Sequence, residues 1–320
     1  MRKARRYAYN IKVHRAGPHP PVARIINYKF ESETMKKNHF KLKSILFAAC
    51  CLTAMTAFAG CDGNNDKDSE TGILKPISQH ITGKWNLVTS YMKKDGKWVE
   101  SPIPEGQEWT YTIRTDGTVV NAVTAADGFT TLKAGTWTTD EKAGTLTMAI
   151  MTANIYSLDA TSFEMGYHGK TTDTETGEEV EGDFKWRLTR MDETVKTPAE
   201  KLVGKWVFKS TYEKKDGEWK EYNKYEPDEA WVEYREDGTG KNYYKAGNKE
   251  YEMGGGWSFN NKTFQVRTTK EGSEEAKVAS PVTFEDDNTY STAYTECYDP
   301  ATGQIVATGE FKDVWVRSQQ

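Results

Sequence analysis

GKWNLVTSYMKKDGKW at residues 83–98 returns as GKWVFKSTYEKKDGEW at residues 204–219. At this offset of 121, Gly83-Lys84-Trp85 maps onto Gly204-Lys205-Trp206, Tyr91 onto Tyr212, Asp95-Gly96 onto Asp216-Gly217 and Trp98 onto Trp219. Asp116-Gly117-Thr118 continues the series to Asp237-Gly238-Thr239. Further along the offset becomes 127. It then takes Asp159 to Asp286, Phe163 to Tyr290, Tyr167 to Tyr294, Gly182 to Gly309, Phe184 to Phe311 and Arg190 to Arg317. The six extra residues fall near EGSEE at 271–275, a polar loop. Similarity held at a fixed spacing marks a repeated structural unit, so the chain carries two copies of one domain.

Each copy reads as short strands punctuated by turns. Trp85, Leu87, Thr89 and Tyr91 alternate with Asn86, Val88 and Ser90, a period of two, and Trp206, Phe208, Ser210 and Tyr212 do the same. Asp-Gly pairs at 95–96, 116–117, 216–217 and 237–238 are tight-hairpin signals. Thr, Tyr, Trp and Val dominate between them, as strands prefer, and long helical periodicity is missing. Thr197-Pro198-Ala199-Glu200 spells a capping box with proline at the first helical position, so a short helix precedes the second copy. Lys75 to Ile81 holds the same place in the first. Roughly eight strands in about 110 residues suit a closed barrel, which leaves no exposed sheet edge. The expected fold is all-β: two tandem small antiparallel barrels, 75–192 and 193–320, each preceded by a short helical turn.

A short helix, a Gly-x-Trp opening the first strand and an arginine closing the last strand resemble the lipocalin superfamily. GKW followed by a DG-W hairpin and a later DGT is similar to the lipocalin-like domains of bacterial lipoproteins. The resemblance covers about 81–192 and 202–318. It implies that Trp85 plugs the closed end of one barrel under Arg190, and Trp206 the other under Arg317, as structural pairs. Guanidinium on indole is worth about 0.5–2 kcal/mol.

The first seventy residues read as an address. From Met35, four lysines precede an apolar run from Ile45 to Ala59, with Ala59-Gly60 before Cys61. That is the layout of a secretory signal, 35–60, whose core is too short to span a bilayer. Phe58-Ala59-Gly60-Cys61 resembles the lipobox of bacterial lipoproteins, which implies a lipid on Cys61 and an anchor in the outer membrane of a Gram-negative cell, with possible exposure at the cell surface. Residues 1–34 fit no signal and read as untranslated or disordered sequence, with translation starting at Met35. Residues 61–74 form a polar tether.

The first sixty residues hold twelve basic and two acidic side chains, which leaves the remainder at −14. Such an acidic body disfavours nucleic acid. After residue 60 the only histidines are His80 and His168, and Cys297 stands alone, so neither a His/Cys metal site nor a disulfide framework is expected. No nucleophile elbow, phosphate loop or dinucleotide fingerprint occurs. The acidic pairs Glu178-Glu179 and Glu274-Glu275 lie on polar turns. We expect no enzyme and no cofactor.

Binding is what remains. In phase with the GKW tryptophans, Tyr91, Tyr111, Phe163 and Tyr167 point inward in the first copy, and Tyr212, Tyr234, Tyr290 and Tyr294 in the second. These rings either pack a small barrel solid or line room for one small apolar ligand. Trp231 points outward beside Glu229, Glu233 and Arg235, where it either meets a glycan or protein or lies against the other barrel.

Overall fold

The computed structural model describes residues 72–149, 151–172, 179–271 and 279–319. The 1–34 segment, the signal expected at 35–60, Cys61 and the expected tether as far as 71 lie outside the described residues, as do Glu178, Glu274 and Glu275. Within them the chain is all-β with two short helices. In the first half α1 (Ile77–His80) leads into β1 (Gly83–Lys94), β2 (Lys97–Ser101), β3 (Glu108–Ile113), β4 (Thr118–Thr124), β5 (Phe129–Asp140), β6 (Thr145–Met148), β7 (Met151–Leu158), β8 (Ser162–Thr172) and β9 (Glu179–Met191). Antiparallel ladders join β1 to β3 and then each strand to the next, until β9 returns to β1. These eight strands form a closed barrel.

Ten strands lie outside that ring. β2 is a hairpin arm on the far half of β1. After α2 (Pro198–Leu202) come β10 (Gly204–Lys215), β11 (Glu218–Glu221), β12 (Glu229–Tyr234), β13 (Thr239–Ala246), β14 (Lys249–Asn260), β15 (Gln265–Lys270), β16 (Ser280–Asp286), β17 (Thr289–Tyr298) and β18 (Ile305–Arg317). Their ladders follow the same order as in the first half, from β10–β12 through β17–β18 to β18–β10, with β11 on β10.

Local chemistry explains the punctuation. Asp95 and Gly96 both have positive φ (51° and 76°), as do Asp216 and Gly217 (55° and 84°), the two-residue turn that matches strand twist. Thr197 caps α2, accepting from Glu200 N at 3.3 Å while Glu200 Oε2 accepts from Thr197 N at 2.7 Å. α1 follows a proline and has no such cap; Glu141, after β5, supplies its carboxylate to Ile77 N and Ser78 N at 2.8 Å each. Ile73 and Leu74, placed in the tether by the sequence reading, join the wall instead: Ile73 bridges Leu158 in parallel, and Leu74 N donates to Leu158 O.

One end of the first barrel is filled. Trp85 is fully buried, its Nε1 donates to Ile81 O at 2.7 Å, and Phe163 meets it edge-on at 4.8 Å. Ile77 and Ile81 belong to the same buried cluster. Arg190 lies 4.1 Å over the indole and donates to the carbonyls of Thr82, His80 and Ala160. In the second half Arg317 sits 4.1 Å over Trp206, donating to Val203 O and Lys201 O, and Trp206 Nε1 reaches Leu202 O.

A β-bulge then shifts the phase. The β1–β9 register slips between Leu87 and Thr89, and the β10–β18 register slips between Phe208 and Ser210. One extra residue reverses the facing of everything beyond it. Ser90 therefore opposes Trp186 inside the barrel, and Tyr91 opposes Lys185 outside it. Likewise Thr211 opposes the buried Asp313, and Tyr212 opposes Lys312. Tyr91 and Tyr212 thus depart from the inward placement expected of strict alternation.

The two halves share buried surface. Val120 and Leu132, on the outer face of β4 and β5, belong to the same buried cluster as Trp206, Trp257 and Phe259. Phe259 and Asn260 of β14 pair with Thr130 and Phe129 of β5. Arg114 holds Glu236 through two bonds of 2.7 and 2.6 Å, and the nearly buried Lys84 ammonium lies 2.7 Å from Glu200. Gly238 (φ 80°) packs against the Leu132 carbonyl, where any Cβ would overlap it.

Candidate ligand-binding site

Away from Trp85, the inner face of the first barrel is built by alternation along four strands. β3 contributes Ile113, Tyr111 and Trp109, which pair with Val119, Asn121 and Val123 on β4. β8 contributes Phe163, Met165 and Tyr167, which pair with Leu188, Trp186 and Phe184 on β9. The rings converge: Trp186 is 6.2 Å from Tyr111 and 5.2 Å from Tyr167, and Tyr167 is 5.5 Å from Phe184. Tyr111 and Phe184 are buried, but Trp109, Tyr167 and Trp186 are only half-buried although they face inward. These three rings pack against the buried cluster and still meet water, so this end of the barrel is less closed than the Trp85 end.

Two polar groups enter this aromatic lining. Asn121 Oδ1 is buried and has no hydrogen-bond partner among the described residues. Lys133 opposes Asn121 across the β4–β5 ladder and stays exposed. Burial pushes the Tyr111 hydroxyl well above its usual range, with Tyr167 adding and the Asn121 amide opposing. Burial also raises Tyr167 to about 12. Both phenols therefore stay protonated and neutral at ordinary pH.

The second half is filled at the same level. Asp313 stands where the first half has Trp186, and its Oδ1 accepts from Tyr294 Oη at 2.7 Å and Thr211 Oγ1 at 2.8 Å. Tyr294 stacks on Phe311 at 5.7 Å, Tyr222 meets Phe311 at 5.4 Å, and Tyr225 and Cys297 pack in the same cluster. Glu226 Oε1 accepts from Thr211 N at 2.9 Å. At the 121 offset Tyr222 and Tyr225 correspond to Ser101 and Pro104, so the first half has no aromatic lid in that loop.

The sequence-derived candidates therefore separate. Tyr111 and Tyr167 are brought together at the first mouth. Phe163 packs on Trp85, and Tyr290 packs on Trp206 at 4.7 Å and hydrogen-bonds Tyr234, all inside closed cores. Tyr294 is held by Asp313. Tyr91 and Tyr212 lie outside under lysines: Lys185 is 4.6 Å from the Tyr91 ring and 5.7 Å from Trp98, and Lys312 is 5.7 Å from Tyr212 and 5.3 Å from Trp219. Trp231 faces outward, stacked on Tyr243 at 5.5 Å beneath Lys205 at 4.1 Å. Trp109, Asn121, Phe184 and Trp186 were not among the candidates. Counting back from Arg190 by two reaches Leu188, Trp186 and Phe184, a signal the sequence did carry.

No protein-family model and no curated protein matches the chain. Among solved structures it is similar to a protein of unknown function from the DUF3598 family of Nostoc punctiforme, at 8% identity over 75% of this chain and 97% of that chain, with a TM-score of 0.22.

Proposed function

We propose that the chain is a non-catalytic cell-envelope lipoprotein with two tandem lipocalin-like barrels, of which the first binds one small apolar ligand at its open end. The observation that carries this reading is the half-exposed inward trio Trp109, Tyr167 and Trp186, set against a second half filled at the same level by its own tyrosines. The repeated ladders and the two Trp–Arg pairs support the tandem architecture. The lysine-rich stretch, apolar run and Cys61 support export and an outer-membrane lipid anchor, which would hold the mouth near a source of apolar molecules. Titration of the chain, from residue 62 onward, with a small aromatic probe should show one site, weakened at least tenfold by Trp186→Ala with the fold retained by circular dichroism. Saturable binding unaffected by Trp186→Ala, or no binding at all, would overturn the reading.

A second reading, contact of the outer wall with a surface glycan or protein, is favoured by one observation. The exposed indole of each hairpin arm lies near two lysines, Trp98 near Lys93 and Lys185 and Trp219 near Lys214 and Lys312, and the second lysine of each pair also covers a tyrosine, Tyr91 or Tyr212. Pull-down of an envelope partner that survives the double change Trp98→Ala and Trp219→Ala removes that surface from consideration.

A further inference from the structure

We propose that the outer wall of the first half carries a stacking platform, Trp98 with Tyr156, that takes a pyranose ring of a neutral glycan. This inference rests on the reading of the outer wall as a contact surface. It chooses between the two hairpin arms and names the chemistry that meets one of them.

The platform is assembled from separate elements. Trp98 comes from the hairpin arm, on β2 opposite Lys93. Tyr156 comes from β7, where the β7–β8 register slips between Ile155 and Ser157 and leaves it as the extra residue of a bulge. Bulges re-aim a side chain, and here the phenol comes to 6.4 Å from the Trp98 indole at an interplanar angle of 60°. Both residues stay open, 37% and 45% exposed. In every other ring pair among the described residues at least one member is buried or half-buried. Large rings ordinarily contribute by being buried, so two that meet in water are free to contribute to contact with something else.

The Tyr156 ring has a seat. It lies across Gly166 of β8, where a Cβ would come within 2.6 Å of its Cε2 and 3.0 Å of its hydroxyl. The second half has neither part. Its ladder pairs Val282 with Thr292 and then Thr283 with Ser291, where the first half pairs Ile155 with Met165 and then Ser157 with Glu164. No residue therefore corresponds to Tyr156, and Gly166 becomes Ala293 at the 127 offset. The arms are alike in sequence, yet Trp219 lacks the second exposed ring.

The charges around the platform select its occupant. Lys185 lies 5.7 Å from the Trp98 ring and pairs with Glu164 at 3.2 Å. Lys93 lies 5.9 Å from the same ring and pairs with Asp183 at 3.5 Å. Asp183 also hydrogen-bonds His168 at 2.8 Å. Each ammonium already has its carboxylate, so a charged ligand would have to break a pair and face the like-charged member. A hydroxyl asks for neither, because it accepts from an ammonium and donates to a carboxylate in the same place. The matching ligand has an apolar face for the rings and hydroxyls around its edge. A pyranose has both: its axial C–H groups line a face that meets the electron-rich face of an indole, and its hydroxyls radiate from the rim.

Titration of the chain from residue 62 onward with maltoheptaose and with cellohexaose, followed through the indole N–H resonances by two-dimensional NMR, tests this. The resonance that disappears in Trp98→Ala should move to saturation with at least one of these neutral probes, while the Trp219 resonance stays in place. Trp98→Ala and Tyr156→Ala should each weaken binding about tenfold or more. Tyr156→Phe keeps the ring, should bind within about threefold of the native chain, and serves should the alanine disturb β7. Trp219→Ala should leave binding unchanged. Equal movement of both indole resonances would overturn the two-ring platform and leave the arms as contact surfaces. Binding of neither probe would overturn the glycan assignment. A protein partner lost from pull-down in the double change Trp98→Ala and Trp219→Ala would then keep the wall as a protein contact, and a partner that survives the change removes the wall as well. Salt-sensitive binding of dextran sulfate in preference to both neutral probes would overturn the neutral class.

Discussion

Replacing Leu132 by alanine tests how the two halves meet. Leu132 lies on the outer wall of a barrel, where a side chain ordinarily faces water and its loss costs within about 0.5 kcal/mol. Here it is 1% exposed and belongs to the buried cluster of Trp206, Trp257 and Phe259 in the other half. Removing three carbons forfeits about 2.4 kcal/mol of transfer free energy at ~0.8 kcal/mol each. The cavity adds to that, because β5 is pinned by its ladders to β4 and β14 and cannot collapse inward. Leucine-to-alanine changes at buried sites span about 2–5 kcal/mol, so about 3 kcal/mol is expected. Equilibrium unfolding in urea, followed by far-ultraviolet circular dichroism, reads this directly as a lowered midpoint at unchanged slope. Val99→Ala, on the exposed hairpin arm, is the control and should stay within about 0.5 kcal/mol. A loss under about 1 kcal/mol at Leu132 refutes the shared core and would mean that the halves merely touch.

Three further outcomes follow from the same contacts. Gly238→Ala should cost more than Gly117→Ala by at least about 1 kcal/mol in urea unfolding: both glycines have positive φ (80° and 84°), but only the methyl at 238 meets the Leu132 carbonyl, while nothing lies near 117; equal losses would count against the interface. Arg190→Met keeps a body over Trp85 but removes three charge-assisted bonds to carbonyls, so a loss of about 2–4 kcal/mol is expected, with a similar loss for Arg317→Met; a neutral result at either site contradicts its role in closing that end. The hydrogen bond from His168 to Asp183 raises the imidazole above 6.5 and lowers the carboxyl below 3.8. The histidine's contribution is thus complete below 6.5 and fades as pH rises through its folded value, and the aspartate's is present above 3.8 and fades as pH falls through its own. For so exposed a pair the gain is about 0.2–1 kcal/mol, so the readout is the His168 proton titration by NMR, whose midpoint should lie above 6.5 and fall in Asp183→Asn; a midpoint at or below 6.5 contradicts the bond.

Much of the architecture was legible because its causes are local. Asp-Gly turns, the Thr197 capping box and alternation around Trp85 each need only a few neighbouring residues, and the offset of 121 joins them into a repeat. The facing of Tyr91 and Tyr212 was not legible, because a single bulged residue, Val88 or Lys209, leaves no mark in composition and reverses every side chain beyond it. Leu132 was hidden for a related reason: alternation marks it as outward, and only the docking of the other half turns that outward face into core. The candidate site was half legible. Tyr111 and Tyr167 were named from their phase, while Trp186 and Asn121 required following β9 and β4 with the same period of two. The two copies, set against each other, carry the stronger signal. Where they agree, at the Trp–Arg pairs and the turns, the residues answer to the demands of closing a sheet. Where they differ, Trp186 becomes Asp313, Tyr111 becomes Val232, and Ser101 and Pro104 become Tyr222 and Tyr225. The second copy fills this level with Tyr294, Phe311 and the Asp313 carboxylate, whereas the first keeps the half-buried Trp109, Tyr167 and Trp186 there. In a duplicated fold of this kind the disagreements between copies, read on the inner face, show where the two interiors part from what sheet closure alone demands.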